Sequence, residues 1–321
     1  MSRAAPEMLG YVLKRCLATI PVMVIVAILV FLLLRLAPGD PAAVIAGDYA
    51  TAEDVERIRQ QLGLNDPLYV QLGRWIAQLA SGDLGTAIFS KKPVMELIGQ
   101  RIEPTLLLAL CTIVWAVLVA VPLGTIAAWK AGSWIDRGVM LFSVGGFSVP
   151  VFVLAYCLIY VLAMQLKILP VQGYKSPFDH GILIFLQHMV LPVLALSVIF
   201  IALIARMTRA SVMEVLEEDY VRTARAKGQS EFKILMRHAL RNAAVPIVTV
   251  IGVGIALLIG GVVVTESVFN IPGLGRLVLD AVLARDYPVI QGLILFFSFI
   301  YILINLLIDL SYTLFDPRIR Y

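Results

Sequence analysis

The sequence predicts an all-α membrane protein with six transmembrane helices, both termini in the cytoplasm and a small external insert after the first helix. Three observations carry this prediction: an apolar composition, six long apolar runs and an uneven distribution of basic residues. Of the 321 residues, 60% are hydrophobic and 15% are charged, whereas a soluble domain has about 45–50% apolar and about 25% charged residues. The composition therefore excludes a soluble enzyme, a disordered chain and a secreted disulfide scaffold.

Six stretches are long and apolar enough to cross a bilayer. About 20 apolar residues are needed, because each helical residue rises about 1.5 Å. The stretches are residues 16–34, 104–129, 138–166, 181–205, 242–265 and 287–308. Lys14 and Arg15 precede the first stretch, as in a signal peptide. However, its apolar run exceeds a signal-peptide core and the following Arg35-Leu-Ala-Pro is a poor cleavage site, so we predict a retained helix.

The basic residues predict the orientation. If the N-terminus is inside, the inner segments contain fifteen Lys and Arg residues and the short outer loops contain four. Cytoplasmic loops carry the excess of Lys and Arg, and the long segment 35–101 is left out because long loops translocate largely regardless of charge. Both termini are therefore predicted to be cytoplasmic.

The predicted spans divide the chain into three parts. Residues 1–36 hold the N-terminus and the first helix, residues 37–103 form the external insert, and residues 104–321 form a core with the other five helices and the loop 206–246. In the insert, Thr51 is the expected N-cap of a helix with acids in its first turn. A second helix is expected over residues 69–79, and a turn over residues 82–85. The insert shows no catalytic arrangement and is expected to be a small folded cap.

The cytoplasmic loop 206–246 is the most informative hydrophilic segment. Four acids between residues 214 and 219 precede six bases between residues 222 and 241, and small residues interrupt the charges before Gly228. Apolar residues recur near helical spacing, which predicts two short amphipathic helices that meet at Gly228, where the absence of a Cβ permits a sharp turn. Electrostatic anchoring to anionic lipid would explain a basic loop. The interleaved acids and the small-residue turn favour docking of a protein partner.

This loop also carries a family resemblance. The segment Asp219-Tyr-Val-Arg-Thr-Ala-Arg-Ala-Lys-Gly228, followed by Arg237-His-Ala-Leu-Arg-Asn-Ala243, resembles the cytoplasmic loop of binding-protein-dependent ABC importer permeases of the dipeptide, oligopeptide and nickel branch. Arg222 and Thr223 stand where the general family has Glu and Ala, and His238 and Arg241 stand where it has Ile and Pro. Further segments similar to this branch cover nearly the whole chain: residues 35–41, 62–67, 82–85, 272–275, 285–288 and 305–318.

The resemblance implies a permease subunit that moves di- and oligopeptides across the bacterial inner membrane by alternating access. Its implied partners are a second, homologous permease in a heterodimer, two ATP-binding subunits, an external substrate-binding protein and membrane lipid, with no nucleic acid. ATP and Mg would bind to the partner subunits, and this chain would bind no cofactor or metal. The residues implied in coupling to the ATPase are Asp219, Arg222, Thr223, Ala224, Arg225, Ala226, Lys227, Gly228 and Leu240. Pro272, Gly273 and Gly275 would form an outer gate or loop.

Several residues within the spans are candidates for the transport mechanism. The polar candidates for the substrate path are Ser148, His188, Ser197 and Thr249, with Ser143 and Gln165 as further possibilities. Gly252, Ala256 and Gly260 lie four apart and predict one smooth helix face. Gly145, Gly146 and Pro150 can bend the third span. Glu266 and Asp309 lie near span ends, where we expect them to snorkel to the interface or pair.

The alternatives fall into three classes. The nearest is an importer of the same branch for nickel or another small solute, because the absent binding protein decides most of that choice. An ion-coupled secondary carrier needs midplane acids, and predicted spans two to five contain none. An intramembrane enzyme needs a catalytic arrangement that the spans do not show. The sequence has no Gly-x-x-x-x-Gly-Lys-Ser/Thr phosphate loop, so we predict that this chain is not itself an ATPase.

Overall fold

A computed structural model describes residues 17–32, 40–46, 50–61 and 63–315. Within these ranges the chain is helical and has no strand beyond an isolated bridge between Thr86 and Pro93, which confirms the all-α class. In chain order the helices are α1 (Leu17–Leu32), α2 (Pro41–Ala46), α3 (Ala52–Gln61), α4 (Leu68–Ala80), α5 (Val94–Trp129), α6 (Trp134–Ser148), α7 (Val151–Leu158, continued by a π-helix over Ile159–Gln165), α8 (Pro177–His180), α9 (Ile182–Leu216), α10 (Asp219–Ala226), α11 (Glu231–Lys233, continued by a π-helix over Ile234–Ala239), α12 (Leu240–Asn242), α13 (Ala244–Val268), α14 (Leu274–Ala284) and α15 (Tyr287–Phe315).

Four of the described helices are long and apolar enough to cross a membrane: α5, α9, α13 and α15. The pair α6 and α7 passes the same test as one broken element, which gives up to five. Helix α1 is apolar but has 16 described residues, and Cys16, Leu33 and Leu34 of the predicted first span lie outside the described residues. The count of six spans and the orientation of the termini therefore stay predictions.

The structure corrects several predicted boundaries. The third apolar stretch is not one straight helix, because α6 and α7 are bent by 103° where Val149 and Pro150 interrupt the helix. The bend at Pro150 itself agrees with the sequence, since proline lacks the N–H that a continuous helix needs. Helix α9 does not end at residue 205 but continues to Leu216, so the first part of the predicted loop is helical. Helix α5 begins at Val94, ahead of the predicted residue 104.

The chain clusters into two compact units. The first comprises residues 1–103 and 276–302 and includes the predicted insert. There, the predicted cap of α3 is confirmed: the Asp54 amide donates to Thr51 Oγ1 at 3.2 Å, and the Thr51 hydroxyl donates to the Asp54 carboxylate at 2.7 Å. The Thr51 hydroxyl and the Thr51 backbone amide both donate to the Asp54 carboxylate and hold the pKa of this carboxyl below its usual range. Helix α4 and the turn at Gly82 and Gly85, both with positive φ, also follow the prediction.

The second unit comprises residues 104–275 and 303–321 and is built around α9. In the apolar window of α9, 61% of the residues are buried, against 28% in α13 and 22% in α5. Leu191, Leu196 and Ile204 of α9 are fully buried and belong to the main hydrophobic cluster with residues of α5, α6, α7 and α13. Helix α9 is therefore the central helix of this unit.

The predicted smooth face of α13 is closely packed at Gly252 and open at Gly260. A Cβ on Gly252 would lie 2.3 Å from Ile308 Cδ1, so this glycine does permit close packing. Gly260 has no heavy atom within 4 Å of such a Cβ. Gly254 and Gly261 instead face Phe200 and Leu196 of α9, 3.4 Å and 3.2 Å from their would-be Cβ atoms. The close face of α13 thus includes two glycines that the sequence pattern did not single out.

Candidate functional site

The hydrophilic loop between α9 and α13 folds into two helical pieces, as predicted. The first is α10, and the second, here called the return helix, covers residues 231–242. Gly228 between them has a φ of +77°, in the left-handed region that favours glycine. A Cβ at Gly228 would meet no heavy atom within 4 Å apart from its chain neighbours. The backbone conformation, and not lack of space, is what favours glycine at this position.

Helix α10 has one inward face and one open face. Val221 and Ala224 are buried against Ile234 of the return helix and next to Leu216 at the end of α9. The other predicted coupling residues of this segment are exposed: Asp219, Arg222, Thr223, Arg225, Ala226, Lys227 and Gly228. The predicted coupling residues therefore share one open surface, except for buried Ala224 and for Leu240, which is half-buried on the return helix.

Ion pairs hold this surface in shape. Arg225 donates to both carboxylate oxygens of Glu231, at 2.8 Å and 3.3 Å, and so links the two helical pieces across Gly228. Arg222 makes a longer contact of 3.4 Å with Asp219 within α10. Lys227 has no ion pair in the part of the chain that the structure describes. Lys227 thus carries an unpaired positive charge on the open surface, and the exposed Arg222 shares its charge with Asp219.

An ion pair connects the last part of α9, ahead of the loop, to the start of α6. The Arg209 guanidinium forms a two-pronged ion pair with the Asp136 carboxylate through Nε–Oδ1 and through Nη2–Oδ2, the latter at 2.7 Å. The Gly132 amide also donates to Asp136 Oδ2 at 2.9 Å. The Asp136 side chain is 5% exposed, so the pair is largely removed from solvent. The sequence did not predict this contact, although Asp136 is an acid in the first turn of the apolar helix α6.

Helix α5 packs against α9 next to Arg209. A Cβ on Gly124 would lie 2.5 Å from the Ala205 carbonyl oxygen and 2.7 Å from Thr208 Cβ. Such distances leave no room for a side chain, so the two backbones meet directly there. Helices α5, α6 and α9 are therefore joined close to the end of α9 that leads into the loop.

Each of the four predicted path residues lies within hydrogen-bond distance of a backbone carbonyl of its own helix. Ser148 is exposed and donates to the Val144 carbonyl at 3.0 Å, and Thr249 is half-buried and donates to the Val245 carbonyl at 2.8 Å. His188 is partly exposed, with Nδ1 2.9 Å from the Ile184 carbonyl oxygen. Ser197 has no exposed surface, and its hydroxyl donates to the carbonyl of Leu194 at 3.2 Å. In this conformation Ser197 belongs to the packed core and lines no open path, because α9 is enclosed by its neighbours.

At the other end of α13, Glu266 is fully buried, so of the two expected outcomes the structure excludes snorkelling and shows pairing. The Thr105 hydroxyl donates to Glu266 Oε1 at 2.6 Å. The same hydroxyl accepts a hydrogen bond from the Leu274 amide at 2.8 Å. A buried carboxylate is tolerated when it is hydrogen-bonded in this way. Thr105 was not a candidate from the sequence, because it lies 161 positions from Glu266. Asp309, the other predicted interface acid, lies outside the residues whose side chains are described.

The predicted gate residues fold over this carboxylate. A Cβ on Gly273 would lie 2.1 Å from Glu266 Oε1, and one on Gly275 would lie 3.0 Å from Oε2. Pro272 is exposed, whereas both glycines are buried. The two glycines are therefore needed because Glu266 occupies the space of their side chains. We call residues 270–275 the glycine turn.

The described residues contain no group of three or more His, Cys, Asp or Glu side chains that could hold a metal ion. The arrangement that they do present has two parts. One is an exposed, basic, two-helix surface that continues from the central helix. The other is a buried polar contact under the glycine turn. An arrangement of this kind suits mechanical connection to a partner and helix movement.

Comparison with protein families gives two matches along the chain. A family described as "Binding-protein-dependent transport system inner membrane component" matches residues 120–321. Its N-terminal companion, described as "Binding-prot-dependent transport system membrane comp, N-term", matches residues 8–109. Together the two matches leave few residues uncovered.

Individual relatives match over nearly their whole length. The chain is 55% identical over 311 residues to the "Probable peptide ABC transporter permease protein y4tP" of Sinorhizobium fredii, covering 97% of this chain and 99% of the relative. It is 48% identical over 314 residues to the "Glutathione transport system permease protein GsiC" of Escherichia coli K12, covering 98% and 100%. Two structures of the MetNI methionine ABC transporter in inward-facing conformations match with TM-scores of 0.55 and 0.56 at 16% identity, covering 69% of this chain and 97% of theirs. At that identity the structural match supports the fold alone.

Proposed function

The chain belongs to the family of binding-protein-dependent transport system inner membrane components, and from this premise we propose that it is one of two different permeases of a peptide importer. As a member of that family it is a multi-pass permease subunit of an ABC importer, and it works with ATP-binding subunits and a substrate-binding protein. The proposal adds the substrate class, the second permease and the residues that couple ATP hydrolysis to transport.

The single observation that carries the coupling part is the two-helix surface around Gly228. Its exposed basic residues, Arg222 and Lys227, offer charge to a partner, and the Arg225–Glu231 pair keeps the surface in shape. Because α10 packs directly against the end of α9, a displacement of α10 pushes on the central helix. ATP and Mg bind to the partner subunits in this proposal, since the sequence has no phosphate loop.

Peptides are the proposed substrates, in the range of di- and oligopeptides. The printed names of the relatives support this class: one is a peptide permease and the other a glutathione permease, and glutathione is itself a tripeptide. Nickel or another small solute is the alternative within the branch. The proposed path is lined by Ser148, His188 and Thr249, which keep some exposed surface. The glycine turn, with Pro272, Gly273 and Gly275, closes its outer end.

Two further parts of the proposal concern organisation. Residues 37–103 form an external cap, and residues 104–321 form the core permease. One such core supplies half of a path, so the chain pairs with a homologous but different permease. An ion-coupled carrier would instead use a buried acid. Among the described residues, the apolar helices hold two: Asp136 in α6, which is paired with Arg209, and Glu266 in α13. Glu266 is engaged under the glycine turn, which favours a structural role for it.

Affinity purification of the full chain from its own membranes in mild detergent tests the proposal. We expect two ATP-binding subunits and a second permease of different sequence to co-purify. In vesicles that hold this complex, a labelled dipeptide mixture supplied with the binding protein should be imported only with ATP. Import driven by a proton gradient without ATP would favour the carrier instead. A complex with two copies of this chain and no other permease would contradict the heterodimer.

A further inference from the structure

The return helix, residues 231–242, has faces of different composition. Leu235 and Ala239 face inward and pack in one cluster with Val212 of α9 and Ala128 of α5. The next face carries apolar residues spaced four apart: Phe232, Met236 and Leu240. Phe232 is 74% exposed and Met236 is 49% exposed. The described part of the chain therefore leaves much of this apolar face uncovered.

The apolar face forms one wall of a groove of about 410 Å³ beside the end of α5. The opposite wall is formed by apolar residues of α5: Val121, Pro122, Ile126 and Trp129. The Thr125 hydroxyl in this wall donates to the Val121 carbonyl at 2.7 Å, so it is already satisfied. A groove without free polar groups favours an apolar occupant.

A row of cations runs beside the groove. Lys233, Arg237 and Arg241 each follow a residue of the apolar face by one position, and all three are exposed. None of them has an ion pair in the described part of the chain, and the nearby acid Glu231 is bound by Arg225. Lys130 adds a further charge at the groove's end, with Nζ 5.6 Å from the centroid of the Trp129 ring. The rim of the apolar groove is therefore positively charged.

We propose that this groove binds an anionic phospholipid, with an acyl chain between Met236 and Ile126 and its phosphate among Lys233, Arg237 and Arg241. The groove lies at the end of α5, a membrane-spanning helix, so an acyl chain of the surrounding bilayer reaches it without crossing water. A helix with Lys and Arg beside an apolar face is typical of the membrane interface, where Trp and Lys also mark the ends of spans. The positive rim selects an anionic over a zwitterionic lipid.

Fluorescence quenching of Trp129 tests the proposal. The full chain would carry Phe in place of Trp75, Trp115 and Trp134, so that Trp129 is the remaining tryptophan. It is reconstituted into phosphatidylcholine vesicles with equal small fractions of either brominated phosphatidylglycerol or brominated phosphatidylcholine. We expect stronger quenching by the anionic lipid, and Lys233→Gln should lower the preference about fivefold, the factor for one cation near an anionic surface. Equal quenching by both lipids would overturn the proposal.

The matched control removes charge from the other half of the same loop. Arg222→Gln with Lys227→Gln changes two cations of α10, which does not line the groove, and should leave the lipid preference unchanged. An equal loss in this control would mean diffuse attraction and would contradict a defined site. A third measurement adds the purified ATP-binding subunits. Quenching that persists supports lipid as the occupant, and quenching that disappears would assign the groove to the ATPase instead.

Discussion

Glu266 determines which residues can surround it. Its carboxylate belongs to the last turn of α13, is fully buried and accepts a hydrogen bond from the Thr105 hydroxyl. The space beside it is filled by backbone of the glycine turn, so Gly273 and Gly275 have no room for a side chain. A charge of this kind is stable only while its hydrogen bonds persist. The turn and the carboxylate therefore hold each other in place.

Gly273→Ala tests this contact at the residue scale. The new methyl group would lie 2.1 Å from Glu266 Oε1, and overpacking of this kind costs about 1–3 kcal/mol. We expect a lower melting temperature of the purified chain and loss of import. Gly260→Ala on α13 is the matched control, because nothing lies within 4 Å of its Cβ position. Equal melting temperatures for wild type and Gly273→Ala would contradict the packing described.

At the scale of the helices, the Asp136–Arg209 pair connects α9, which leads into the loop, to α6. Arg209 lies in the part of α9 beyond the predicted span, and Asp136 lies at the start of α6, which leads to the bend at Pro150. The pair therefore links the end of α9, next to α10, to the bent element. The Gly124 contact joins α5 to the same place.

Breaking the pair should weaken both stability and transport. Arg209→Met leaves the Asp136 carboxylate without its main partner, and a hydrogen bond to a charged group contributes about 1.5–3 kcal/mol. We expect a lower melting temperature and reduced import by the complex. The double variant Asp136→Arg with Arg209→Asp restores the opposite charges and should recover part of both losses. If the double variant is no better than Arg209→Met, the contact does not act as a charge pair.

The comparison of sequence with structure shows which elements depend on local information. Gly228, the cap at Thr51 and the break at Pro150 were predicted correctly, because backbone conformation follows from neighbouring residues. The end of α9 was predicted too early, because the charges of Arg206 and Arg209 indicate the start of a loop. In the structure Arg209 lies within the helix and pairs with Asp136, 73 positions away. Such a partner cannot be identified in a single sequence, and the same holds for Glu266 and Thr105.

At the scale of the whole molecule, the six spans and the cytoplasmic termini are the prediction to test. Reporter fusions after Gly85, Gly173 and Asp280 should report the outside of the membrane. Fusions after Gly132 and Gly228 should report the cytoplasm, because basic residues concentrate in those segments. A cytoplasmic signal from the Gly85 fusion would remove the first span as a membrane-crossing helix. It would also place residues 37–103 on the opposite side from the proposed external cap.

We propose that the surface around Gly228 couples the ATPases to the membrane helices. Gly228→Val tests it, because a β-branched residue at a φ of +77° strains the turn by about 1 kcal/mol or more, whereas its Cβ has no heavy atom within 4 Å apart from its chain neighbours. Gly82→Val is the control, since Gly82 has a φ of +82° and equal free space outside the loop.

The decisive measurement is ATP hydrolysis stimulated by the binding protein in the reconstituted complex. We predict that Gly228→Val inserts and assembles normally but loses both the stimulated ATP hydrolysis and import, whereas Gly82→Val keeps them. Stimulated hydrolysis and import by Gly228→Val within about twofold of wild type would contradict the claim.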